Sequence, residues 1–218
     1  MGALVRFWRS TVGKKVVMAV TGVLLVGFII GHAMGNLIVF RGPEAFNAYA
    51  AFLKSNMNLL WTARAGLLVA VVLHIVAAVQ LTRRQQLARP VGYERRDPQV
   101  STFAARTIRW GGVVILVFVV YHLLHFTVGT AHPSFSHVDA YGNVIAGFSV
   151  WWVALLYLVA MIALGLHLYH GVWSSIRTLG LSRPTHYPLK RRAALVLAVG
   201  VTLAFVAIVG AVALGVVR

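Results

Sequence analysis

The sequence has no cysteine, which excludes disulfides, thiolate metal sites and an iron–sulfur cluster held by this chain. It is also poor in charge, with 11% charged residues against 60% hydrophobic ones, a balance foreign to soluble domains of 218 residues. Carboxylates are rarest: Glu44, Glu94, Asp97 and Asp139 are the only acids against twenty Lys and Arg. Alternating strand patterns are absent, so the long apolar runs read as helices. No loop is long enough to form a second domain with its own core. The chain therefore reads as one all-α membrane domain over residues 1–218.

Five apolar runs reach the roughly 20 residues that a helix needs to cross a hydrocarbon core: about 16–40, 59–81, 110–130, 147–176 and 193–217. The basic residues then report topology, since Lys and Arg are retained in cytoplasmic loops. Sixteen of them fall in the N-terminal segment and the second and fourth loops, including Arg83, Arg84, Arg89, Arg95, Arg96, Arg106, Arg109, Arg177 and Arg183. Four, Arg41, Lys54, Arg64 and Arg218, fall on the other side. This predicts a cytoplasmic N-terminus and an external C-terminus. All six tryptophans sit at or near span ends, the headgroup level that amphipathic rings prefer. Ala33-Met34-Gly35 resembles a weak signal-peptide cleavage site, but the first run is long enough to span. The long basic connector between spans two and three reads as a loop attracted to anionic headgroups, or as a docking surface for a cytoplasmic partner. The basic excess carries no nucleic-acid signal.

Six of the nine histidines fall within spans: His32, His74, His122, His125, His167 and His170. Ionisable groups at membrane depth are costly and mark ion paths, proton relays or cofactor sites; a lone histidine can equally bond a neighbouring helix's carbonyl. Counted at 1.5 Å per residue from the basic ends, His74 and His167 lie about 14 and 15 Å deep, His122 about 20 Å, His125 about 24 Å and His32 about 25 Å. Two levels result. His74 with His167 forms one, and His32 with a histidine of the third span the other. Paired imidazoles from facing helices can hold a haem iron axially. Zinc sites and proton paths normally recruit carboxylates, and all four acids lie outside the spans. Gly27, Gly31, Gly35 and Gly111 would let a flat macrocycle approach the backbone, or serve ordinary small-residue helix packing.

One ligand level per helix also differs from membrane cytochromes that carry both haems between two helices. The segments STVGKKVVMAVTG, GHAMGNL, GPEAFNAYA, YHLLHF and LHLYHGVWSSIRTLG together resemble the five-helix, di-haem cytochrome b subunit of succinate dehydrogenase and fumarate reductase. The likeness runs from about Phe7 into the fifth span. It implies a bundle of the first four helices, with His74 and His167 as axial ligands of a cytoplasm-proximal haem b and His32 and His122 as those of a distal one. Depth alone places His125 closer to His32 than His122. The resemblance leaves His170 free to bond a haem propionate, with packing on a neighbouring helix as the other reading; His125 poses the same choice. Arg106, Arg109 and Arg177 are candidate propionate partners.

The resemblance further implies a prokaryotic cytoplasmic membrane and, on its cytoplasmic side, a flavoprotein carrying FAD and an iron–sulfur protein, with electrons passing to membrane quinone, menaquinone being usual for di-haem members. The expected direction is succinate oxidation; fumarate reduction is the alternative, and the complex could form a higher oligomer. Quinone-site candidates are Ser10, Arg9 and Lys14 near one surface, with Ser10 as a helix cap and the basic pair as headgroup contacts in the plainer reading. Asn36 and Tyr49 are candidates near the other surface. Three other functions fit the residues: the di-haem anchor of a hydrogenase or formate dehydrogenase, a histidine-lined channel or transporter, and a structural anchor.

Overall fold

The computed structural model describes residues 2–88, 102–181 and 183–218. Arg89, Glu94, Arg95, Arg96 and Asp97 of the second loop lie outside the described residues. Among these residues eight α-helices follow in order: α1 (Ala3–Arg9), α2 (Thr11–Leu37), α3 (Pro43–Ser55), α4 (Met57–Leu87), α5 (Phe103–Leu123), α6 (Ala140–Phe148), α7 (Trp151–Thr178) and α8 (Tyr187–Ala213). No strand occurs among the described residues. Five helices, α2, α4, α5, α7 and α8, are long and apolar enough to cross a membrane.

Local chemistry sets the helix starts. Side-chain oxygens of Ser10, Asn56 and Thr102 accept the amides of Gly13, Leu59 and Ala105 at 2.8, 3.0 and 3.1 Å, satisfying N–H groups with no partner inside the helix. Proline occupies the first turn of α3 and of α8, where its missing N–H costs nothing. Gly42 enters α3 at φ 92°, a conformation that penalises any Cβ.

The apolar runs locate the five spans, but the helices overrun them. α4 continues to Leu87 and α5 begins at Phe103, because Arg and Gln are good helix formers and hydropathy does not register them. The sequence predicts a fourth span from 147, whereas Gly147 and Phe148 end the separate helix α6 and the chain bends before Trp151. α5 passes into a π-helical turn, Leu124–Val128.

α2 packs closely on α4, α7 and α8, while α7 also packs on α5 and α8. Small buried residues make these approaches: Ala19, Ala70, Ala77, Ala160, Ala194 and Ala198, as expected where packing rather than hydrophobicity holds helices together. α4 with α7, and α2 with α5, are not among the closely packed pairs. The main apolar cluster lies at the end covered by α3 and α6, around Val39, Phe148, Val153 and Val209. Toward the opposite end the buried cluster narrows to Leu168, Ala198 and Val201.

Candidate functional site

Two pairs of imidazoles face one another across helix pairs that do not pack closely. His74 of α4 meets His167 of α7 with ring centroids 6.2 Å apart and planes at 58°. His32 of α2 meets His122 of α5 at 5.8 Å and 87°.

His74 is held by α2. Its Nδ1 lies 3.1 Å from the Met18 carbonyl and 3.2 Å from Thr21 Oγ1. The Thr21 hydroxyl donates to Val17 O at 2.7 Å, so neither neighbour has a proton to offer Nδ1. An acceptor carbonyl there selects the Nδ1–H tautomer and leaves Nε2 with its lone pair, the usual state of a metal-binding histidine. Gly22 lies one turn after Met18, and a Cβ there would stand 3.4 Å from His74 Cε1, in ordinary contact. Across the pair, a Cβ on Gly112 would stand 3.9 Å from His167 Cε1, and His167 Nδ1 is buried without a partner. Such orphaned atoms call for a bound group or water. A cavity of about 340 Å³ between α5 and α7, lined by Ala104, Gly111 and Ala163, reaches His167.

His32 stacks on Phe28 at 5.4 Å and 17°. Its carbonyl accepts Asn36 Nδ2 at 2.7 Å. His122 Nδ1 lies 3.3 Å from the Tyr157 hydroxyl, which also lies 3.0 Å from His125 Nδ1. One hydroxyl proton serves one acceptor. If His122 presents Nε2 as a ligand, its Nδ1–H donates to the Tyr157 oxygen, and the Tyr157 hydroxyl donates to His125.

The structure thus turns His122, not His125, toward His32. His125 sits in the π-helical turn, fully buried, stacked between Tyr121 at 5.4 Å and His132 at 4.8 Å. Its Nε2 has no hydrogen-bond partner. His132 Nε2 donates to Asn143 O at 2.8 Å, while its Nδ1 accepts the Ser134 amide at 3.1 Å. Depth favours His125 as the partner of His32, but it ignores azimuth, and three residues on a helix turn a side chain by about 300°.

Two imidazoles binding one metal from opposite sides, with metal–nitrogen bonds of about 2 Å, have centroids about 6 Å apart. Both pairs meet that distance, although an edge-on ring contact would as well. The fit to haem rests additionally on the donor set: imidazoles only, Nδ1 of His74 on a carbonyl, an orphaned nitrogen on His167, and helices held apart where the rings meet. Gly27, Gly31 and Gly111 carry open space where a Cβ would be, as Gly200 and Gly210 do, so they do not distinguish a macrocycle from helix packing. Gly35 differs, since its missing side chain seats the Tyr49 ring, with the hydroxyl 2.5 Å from the Cβ position. Among the described residues, no three His, Asp or Glu side chains gather as a metal site, so the arrangement is pairwise.

The other candidates have nearer occupations. Ser10 Oγ donates to Phe7 O and caps α2, each at 2.8 Å. Lys14 is buried with Nζ 2.5 Å from Trp8 O and 4.5 Å from the Trp8 ring centre. The Arg9 carbonyl accepts Arg84 Nη2 at 2.7 Å. Arg109 donates to Gln85 at 2.9 Å, and Arg177 lies over the Trp173 and Tyr187 rings. Arg106 and half-buried His170 lie on the faces of α5 and α7 without a described hydrogen bond. Tyr157, Thr21, Gly22, Gly112 and His132 escaped the sequence reading. For Tyr157 there was a signal: it lies ten residues before His167 in the same span, about 15 Å away along the helix, and a buried tyrosine hydroxyl seeks a partner.

The fold and these pairs define an all-helical protein with five candidate membrane-spanning helices and two levels of paired histidines. No family model matches the chain, and neither a curated protein nor a solved structure matches it.

Proposed function

We propose that the chain is the membrane anchor and electron-transfer subunit of a succinate dehydrogenase, holding two b haems and passing electrons from an iron–sulfur partner to membrane quinone, menaquinone in the first instance. The observation carrying this reading is the pair of histidine levels on helices that are not packed together. His74 and His167 hold the haem nearer the basic, cytoplasmic end; His32 and His122 hold the distal one. Bound haem supplies reversible one-electron transfer. The chain's own residues would orient the imidazoles that hold it: Met18 fixes the His74 tautomer, Tyr157 orients His122, and Phe28 and Phe205 flank His32. The N-terminus lies in the cytoplasm, where the basic loops meet a flavoprotein with FAD and an iron–sulfur protein. The membrane is the prokaryotic cytoplasmic membrane.

Co-purification with those partners tests the reading. Succinate should reduce at least the proximal haem of the intact complex and support quinone reduction, whereas the chain alone should oxidise no succinate. If a flavin-loaded complex leaves both haems oxidised by succinate, although redox titration shows their potentials to be accessible, the assignment to succinate oxidation fails.

A further inference from the structure

At the end opposite α3 and α6, Tyr169, Trp173 and Arg177 recur every four residues along α7 and so share one face. The first turns of α8 carry Tyr187, Arg191, Arg192 and Leu195. Before α8 closes on its neighbours at the buried Ala194 and Ala198, the two helices leave a cleft of about 420 Å³ between these groups. We propose that this cleft binds the phosphate of an anionic phospholipid, with an acyl chain running along α8.

The arrangement supplies both halves of that ligand's chemistry. Arg191 Nε donates to the Tyr169 hydroxyl at 2.6 Å, which fixes the guanidinium plane and leaves its terminal amino groups for a second partner. Arg192 stands beside it in the lining. No acidic side chain pairs with either among the described residues; the two described acids, Glu44 and Asp139, lie in α3 and at the start of α6. Guanidinium forks bind phosphate oxygens bidentately, and among the described residues no carboxylate competes for them. Trp173 and Tyr187 meet edge to face at 5.2 Å, with the Arg177 guanidinium 5.7 and 5.5 Å from their ring centres. Such amphipathic rings belong at the headgroup level. From the cleft, exposed Leu195, Val199 and Leu203 continue down α8 at four-residue spacing, an apolar stripe for an acyl chain that a free phosphate would not use.

Native mass spectrometry of the full chain in mild detergent, titrated with phosphatidylglycerol and separately with phosphatidylcholine, tests the site. Phosphatidylglycerol should bind about tenfold tighter, and Arg191→Gln with Arg192→Gln should remove about that preference. Arg191→Lys with Arg192→Lys keeps the charge but loses the fork and should retain only part of it, which gives a readout if the glutamine pair fails to fold. Lys15→Gln with Arg83→Gln, equal in charge change and remote in sequence, should leave the preference intact. Equal binding of the two lipids, or an equal loss in the Lys15/Arg83 variant, would overturn the site in favour of diffuse basic attraction. Displacement of the lipid by inorganic phosphate at equal concentration would overturn the acyl half.

Discussion

Replacing Tyr157 with phenylalanine removes a single oxygen that meets both His122 Nδ1 and His125 Nδ1, at 3.3 and 3.0 Å. His125 is 0% exposed, so bulk solvent cannot replace the hydroxyl. A buried polar atom left unpaired costs about 1–3 kcal/mol, which the fold itself should lose. The consequence for a bound metal is separate. An Nδ1–H that donates to an oxygen makes the imidazole a more basic ligand, and loss of such a partner typically costs about 10–100-fold in metal affinity. A more basic ligand stabilises the oxidised iron, so Tyr157→Phe should raise the distal haem's midpoint potential and lower its occupancy while leaving the proximal haem unchanged. Redox titration followed optically, with a haem-to-protein ratio before and after detergent washing, reads both effects. An unchanged distal potential in a fully loaded variant, or a shift confined to the proximal haem, would refute the role given to the hydroxyl.

Other outcomes follow from single positions. Gly147→Ala should destabilise the protein by about 1–3 kcal/mol by overpacking, because the new Cβ would lie 2.8 Å from Cε1 of the buried His125; Gly200→Ala, which meets nothing within 4 Å, should gain up to about 1 kcal/mol from helix propensity, and thermal denaturation distinguishes the two. Ser10→Ala should cost about 1 kcal/mol through loss of the α2 cap, and a loss of quinone reduction with stability unchanged would show a different role for that hydroxyl. The Gly142 amide, then Asn47, holds Asp139 below the ordinary carboxylate range. Its stabilising contribution is therefore present above the unfolded pKa and lost as pH falls through the lower folded value; Asp139→Ala should flatten that acid limb of the melting curve, a small effect at an exposed cap. Reporter fusions after residues 95 and 185 should read cytoplasmic and one at 140 external, and the reverse pattern would exchange the proximal and distal labels.

The five long helices were legible because apolar runs of membrane-spanning length leave few alternatives. α3 and α6 were not, since helices of 13 and 9 residues contain no such run. The juxtaposition of His74 with His167 followed from depth alone. Which third-span histidine meets His32 did not, because a π-helical turn carries His125 toward α6 and depth carries no azimuth. The Met18 carbonyl that holds His74 carries no sequence signal, since the contact exists only once α2 and α4 have packed. Arg177 is a candidate propionate partner by sequence, but its described contacts are aromatic rings, one of them on α8.

Haem bound by the two imidazole pairs would show in the absorption spectrum of the purified chain, oxidised and reduced, with a haem-to-protein ratio. Low-spin b-type spectra with a ratio near two are expected, falling to near one in His74→Ala and in His32→Ala, with different components lost, while His170→Ala keeps both. A chain that folds and purifies colourless from haem-replete cells, or a ratio unmoved by either ligand substitution, would contradict haem binding by these pairs.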